Sequence, residues 1–187
     1  NLEIHENTKL AFLLNEGYVS IVDEDTEYEM YKYLKDTLSL NEFNRYEISN
    51  YAIKGYESKH NLKYWNQEQY LGFGSSAASF FGGKRYTNIK DIKEYIKRIS
   101  NNKTLYDEYE ELDLLSLMKE YIMLSLRKIE GLNKNKFKRK YQKDVYDIFK
   151  EEINELKKMG LLEEKKEYIK LTQRGLEVAN LVWEKFI

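Results

Sequence analysis

At 187 residues the chain holds one large domain or two small ones, and its 31 basic against 32 acidic residues leave a formal charge of −1, so no global field favours nucleic acid or an anionic membrane. Cysteine is absent, which removes disulfides, thiolate nucleophiles and cysteine-held zinc or iron–sulfur sites from this chain. No apolar run reaches the roughly 20 residues of a membrane-spanning helix, and the opening Asn1-Leu2-Glu3-Ile4-His5-Glu6 is polar and acidic rather than signal-like, so a soluble, cytoplasmic protein is expected. An opening at Asn1 that runs almost at once into patterned sequence reads as a piece of a longer protein.

In chain order, residues 9–22 read as a short mixed segment turning at Asn15-Glu16-Gly17. Asp23 or Asp25 is placed to cap a helix running to about Leu40, with Tyr28, Met30, Tyr31, Tyr33, Leu34 and Leu38 as a buried stripe. Residues 43–48 predict a strand, residues 49–58 a loop through Gly55, and the loop reading carries over to His60. Residues 70–81 alternate small and aromatic side chains and predict one or two buried strands. Gly82-Gly83 turns the chain into an antiparallel partner at 84–88, and Asp91 caps a helix with Ile92, Tyr95, Ile96 and Ile99 on one face.

The first block closes near residue 105, and the acidic stretch Tyr106-Asp107-Glu108-Tyr109-Glu110 is the expected boundary between domains at 1–105 and 106–187. Leu112, Leu115, Met118, Tyr121, Ile122 and Leu124 sketch an apolar helix that stops before Gly131. Asn133 opens a basic helix through Tyr141. Asp144 caps a third helix, with Val145, Ile148, Phe149, Ile153, Leu156 and Met159 inward and Gly160 as its stop. Two strands at 161–165 and 168–171 flank a charged turn, and Thr172 caps a last helix through Trp183. Three helices, a hairpin and a closing helix predict a winged-helix-like module, and the whole chain reads as α+β.

The densest chemistry lies between Tyr46 and Asn88, centred on His60-Asn61-Leu62-Lys63-Tyr64-Trp65 and followed by the small-residue run Leu71-Gly72-Phe73-Gly74-Ser75-Ser76-Ala77-Ala78-Ser79. Imidazole is a good axial ligand for heme iron, because one neutral ring nitrogen donates to the metal while the other is fixed by an acceptor. A lone loop histidine is more often a hydrogen-bonded surface residue. Tyr64 and Trp65 are suited to stack on a porphyrin, although aromatic side chains more often fill a core. Gly72-Phe73-Gly74 lacks the spacing and following lysine of a phosphate loop and fits a closely packed strand better.

Four blocks, Tyr46-Glu47-Ile48-Ser49-Asn50-Tyr51-Ala52, Lys59-His60-Asn61-Leu62-Lys63-Tyr64-Trp65, Tyr70-Leu71-Gly72-Phe73-Gly74 and Lys84-Arg85-Tyr86-Thr87-Asn88, follow an order and spacing that resembles the C-terminal half of the HemW family. These are radical-SAM heme chaperones related to oxygen-independent coproporphyrinogen III oxidase. The resemblance extends upstream through Asp23-Glu24-Asp25-Thr26 and downstream through Leu171-Thr172-Gln173-Arg174-Gly175. It implies the end of a radical-SAM partial barrel at 1–105, antiparallel strands plus helices, followed by a winged-helix-like domain at 106–187.

The resemblance also implies a parent that binds heme and delivers it to acceptor proteins. The three cysteines of a 4Fe-4S cluster and the main S-adenosylmethionine contacts would lie on an N-terminal part, leaving this chain inert alone. The family's His-Asn-x-x-Tyr-Trp motif is associated with heme binding and falls on His60, Asn61, Tyr64 and Trp65. That makes His60 the candidate iron ligand and Asn61 the side chain expected to position its imidazole, with Tyr64, methionines elsewhere and ligands from the parent's other part still open. The small-residue run usually ends Gly-Ala-His-Ser, and here Ala78 stands where the family has a second histidine. Two alternatives accompany this reading: a fragment of an oxidase that decarboxylates coproporphyrinogen, and a winged-helix transcriptional or adaptor module.

Lys134, Lys136, Lys138, Arg139, Lys140 and Lys143 form a basic stretch where a helix-turn-helix would meet phosphates. Asp144, Asp147, Glu151, Glu152 and Glu155 follow on the helix that would have to enter the groove, and would repel DNA. No nucleic acid is therefore expected, and the basic face reads as solvated or as a contact with a partner protein.

Overall fold

Acidic, amide and hydroxyl residues set the helix starts. In the computed structural model, which describes residues 4–187, Thr8 caps α1 (Lys9–Asn15), Asp23 caps α2 (Glu24–Leu40) and Ser58 caps α3 (Lys59–Trp65). Asp91 caps α4 (Ile92–Ser100) and Asp113 caps α5 (Leu114–Arg127); each of these five side chains accepts from the backbone N–H three residues on. Asn133 does the same for α6 (Lys134–Tyr141), and Asp144 shares a capping box with Asp147 at the start of α7 (Val145–Lys158). Thr172 opens α8 (Gln173–Glu177), and a break at Val178 separates it from α9 (Ala179–Trp183). The expected single closing helix is thus two short ones, because Val178 at φ −124° leaves the helical region.

Strands are short. β1 (Asn44–Arg45) pairs antiparallel with β2 (Tyr51–Ala52). β3 (Ala78–Phe81), β4 (Lys84–Thr87) and β5 (Tyr109–Glu111) form an antiparallel sheet in that order. Gly82 and Gly83 turn β3 into β4 with φ of +60° and +76°, the left-handed pair that a two-residue hairpin turn requires. The acidic stretch after residue 105 therefore supplies the third strand of this sheet. In the second half, β6 (Leu132–Asn133), β7 (Leu162–Lys165) and β8 (Tyr168–Leu171) make a sheet in the order β6-β8-β7.

The core sits almost entirely in the second half. Leu126, Phe137, Val145, Leu156 and Val182 have no exposed surface, and they pack with Ile122, Ile153, Ile169 and Phe186 between α5, α6, α7, the β6-β8-β7 sheet and the C-terminal turn. Burying each such side chain is worth about 1.5–3 kcal/mol. Before residue 112, the buried apolar side chains among the described residues are only Ala52 and Phe80.

The stripe expected to be buried on α2 is not: Tyr28, Met30, Tyr33 and Leu34 are at least half exposed, and on α4 so are Ile92, Ile96 and Ile99. These faces are apolar by sequence, but the short strands beside them provide no second layer to cover them. Met159 is likewise exposed, although the rest of its helix face is inward.

The expected strand at 43–48 is cut to two residues because the Arg45 side chain donates to the Ile48 carbonyl, folding the backbone back to pair with Tyr51–Ala52 inside the expected loop. At 70–81 only Ala78–Phe81 is a strand, with Tyr70 bridging Phe80. Side chains satisfy much of the intervening backbone: Asn88 donates to the Gly72 and Gly74 carbonyls, Gly74 N–H donates to Tyr95 and Gly72 N–H to Ser79. No helix of the described residues is long and apolar enough to cross a membrane.

Candidate functional site

The His60 segment is a helix, not a loop. Ser58 accepts from the Asn61 N–H at 3.3 Å, and Lys59 through Trp65 contains no glycine or β-branched residue to oppose the turn. His60 is exposed near the N-terminal end of α3. Its ring meets Tyr64, one turn on, at 4.9 Å between centroids and 81° between planes. Tyr64 meets Tyr70 at 4.6 Å and 74°, and Tyr70 meets Phe80 at 6.5 Å. An aromatic row thus leads from the exposed imidazole to a buried side chain, and burial pushes the Tyr70 phenol upward in pKa. The expected hydrogen bond from Asn61 to His60 is not formed; the imidazole is set edge-on by Tyr64, while Asn61 contributes its backbone N–H to the cap.

Trp65 lies five positions from His60, about 140° around the helix, and faces the other way. Its ring sits 4.4 Å from the Arg127 guanidinium, which is 5.1 Å from the Trp183 ring. Of the four residues singled out in the sequence, the structure therefore brings His60 and Tyr64 together and directs Trp65 to α5.

The residues just after Trp65 fasten α3 to the second half. Lys128 Nζ donates to Asn66 Oδ1 at 2.7 Å. Gln67, 5% exposed and at φ +50°, donates from Nε2 to the Leu117 carbonyl and to Glu120, both at 3.0 Å, and its Oε1 accepts from the Tyr141 hydroxyl at 2.6 Å. Its own carbonyl accepts from Lys140 at 3.0 Å. Glu120 also pairs with Arg85 on β4. Burial lowers the pKa of the Lys128 amine and raises that of the Tyr141 phenol.

The Tyr46–Ala52 block lands on the same end of α5. Ile48 N–H donates to the Arg127 carbonyl at 3.0 Å, and Ile129 N–H to the Tyr46 carbonyl at 3.1 Å, so Glu47 and Lys128 face each other across an antiparallel bridge. Glu47 is fully buried. Its Oε1 accepts from Ser49 N–H and the Asn50 amide, while Oε2 has no partner. Beside this block, α2, residues 45–51 and α8 enclose an open cleft of about 610 Å³, lined by Tyr31, Arg45, Tyr51 and Leu176 among others. Ala78 is exposed at the start of β3, and Gly72 packs so closely on it that a Cβ would lie 2.1 Å from the Ala78 carbonyl oxygen.

Sequence reasoning passed over Gln67, Arg127 and Lys128. Their partners lie 50 to 74 positions away for Gln67 and 62 for Lys128, so no local spacing announces them. Among the described residues no three His, Cys, Asp or Glu side chains gather as a metal site.

Comparison with known proteins gives a consistent pattern. Residues 112–178 match the HemN C-terminal domain family. The whole chain aligns with the heme chaperone HemW of Lactococcus lactis at 34% identity and with that of Bacillus subtilis at 32%, in each case over 49% of the relative's length. The chain thus spans about half the length of these curated relatives. The solved structure of coproporphyrinogen III oxidase (HemN) from Escherichia coli, described as a radical SAM enzyme, shares the fold with a TM-score of 0.69 at 16% identity, over 88% of this chain and 42% of that one. The chain belongs to the HemW family and carries a HemN-type C-terminal domain.

Proposed function

We propose that this chain is the heme-contacting, C-terminal part of a radical-SAM heme chaperone, with His60 giving an axial nitrogen to the iron of a bound heme and Tyr64 lying against the porphyrin. The observation that carries this reading is the exposed His60 imidazole held edge-on by Tyr64 at the free end of α3, backed by Tyr70 and Phe80. An exposed imidazole on an aromatic bed has a free nitrogen to offer and an apolar face to cover a macrocycle. Tyr64 suits the face contact better than Trp65, whose ring is engaged with Arg127.

In this reading heme is cargo, passed to an acceptor protein in the cytoplasm. The chain has no cysteine, so its residues do not fit a 4Fe-4S cluster; the cluster and S-adenosylmethionine belong to the remainder of the parent. Residues up to about 105 supply the end of the partial barrel. The following residues form a winged-helix-like domain that serves as a packing support, a role favoured by the concentration of the buried core there. The related oxidase activity is separated from chaperoning in the full-length parent by two assays run together. Heme uptake seen at the Soret band without anaerobic turnover of coproporphyrinogen supports the chaperone; turnover without heme uptake overturns it.

A further inference from the structure

We propose that Gln67 is a positioning residue that holds the His60–Tyr64 face in register with the C-terminal domain; the proposal rests on the heme reading above. The geometry is specific. Gln67 N–H closes α3 by donating to the Tyr64 carbonyl at 2.8 Å, so Gln67 is tied directly to the backbone of the residue that bears on His60. The same residue places its side-chain amide into the second half, where both ends are satisfied: Nε2 by the Leu117 carbonyl and Glu120, Oε1 by the Tyr141 hydroxyl.

A left-handed φ of +50° is unfavourable for a non-glycine residue, and here the surrounding bonds hold it. Glutamine suits the position because it has both a donor and an acceptor at the tip, each facing a partner of the opposite kind. An apolar side chain would leave Glu120 with one donor fewer and the Tyr141 hydroxyl with only the Leu117 carbonyl.

The grip lies entirely at the C-terminal end of α3. Lys128 on Asn66 and Arg127 on Trp65 complete it, while Ser58 is the side chain that caps the His60 end. A seven-residue helix is too short to hold itself in water, so its orientation follows from this anchorage. Loosening the anchor tilts the whole short helix and moves the imidazole away from its productive direction.

The test uses the full-length parent with Gln67→Leu and, as a gentler variant, Tyr141→Phe, read by heme titration and by amide hydrogen exchange without heme. Gln67→Leu is expected to weaken heme binding about tenfold, a loss of about 1.4 kcal/mol. Exchange at residues 62–67 should rise more than tenfold, while the buried amides of Ile122, Leu126, Phe149 and Val182 stay at wild-type protection. Tyr141→Phe should weaken binding about threefold with the same local pattern. A purely structural role would instead raise exchange throughout the C-terminal domain. If His60→Ala loses heme and both other variants keep wild-type affinity, the positioning role is overturned and the heme site stands. If His60→Ala also keeps wild-type affinity and spectrum, the heme reading fails and the proposal with it.

Discussion

Replacing Glu164 by glutamine offers a quantitative check on the electrostatics of the C-terminal domain. Glu164 on β7 accepts from Lys157 at 2.7 Å and Tyr146 at 2.6 Å, and pairs with Lys134. Lys134, then Lys157, then Tyr146 hold its carboxyl at about 2, below the ordinary 4.5. Because the folded value lies below the unfolded one, the stabilisation is fully present above 4.5 and is lost as pH falls through about 2. At about 1.4 kcal/mol per pH unit, that gap corresponds to about 3 kcal/mol. Screening by solvent at a site with a quarter of the side chain exposed reduces this to ~1 kcal/mol. Urea unfolding of wild type and Glu164→Gln should therefore differ by ~1 kcal/mol at pH 7, with most of the difference disappearing between pH 4.5 and 2. A difference that stays constant across that range, or no difference at pH 7, would show that the three donors do not stabilise the charged carboxylate.

Two further outcomes follow from burial and charge. Phe137→Ala, at a fully buried position against Tyr121 and Tyr141, should cost about 3–5 kcal/mol by the same urea assay, whereas Ile96→Ser, at an exposed position, should change the stability of this chain by less than about 0.5 kcal/mol. Exchanging Lys136, Lys138 and Lys143 for glutamine should leave heme affinity within about twofold, since these side chains are exposed and make no close ion pair; a measurable DNA affinity at physiological salt that drops tenfold in this variant would favour a nucleic-acid role instead.

Much of the second half was legible because local signals and packing agree there. Asp113, Asn133, Asp144 and Thr172 cap helices whose periodic apolar residues meet one another, so pattern and burial coincide. In the first half the same kind of pattern misled. The apolar positions of α2 and α4 form faces, but among the described residues nothing buries most of them. Strand patterning at 70–81 failed because Asn88, Tyr95 and Ser79 compete for the backbone bonds that a strand would use. The helix bearing His60 has a readable signal in Ser58, whose hydroxyl caps it by accepting from the Asn61 N–H three residues on. Where Trp65 and Gln67 point was not readable at all, since both are oriented by contacts with residues far along the chain.

Whether His60 ligates iron is decided by heme titration of the full-length parent, followed at the Soret band for wild type, His60→Ala and Ala78→His. His60→Ala should weaken binding at least tenfold, about 1.4 kcal/mol, and shift the band through loss of the axial nitrogen. Wild-type affinity and an unchanged spectrum in His60→Ala would contradict ligation by His60, and a spectrum altered by Ala78→His but not by His60→Ala would place the iron against β3 rather than α3.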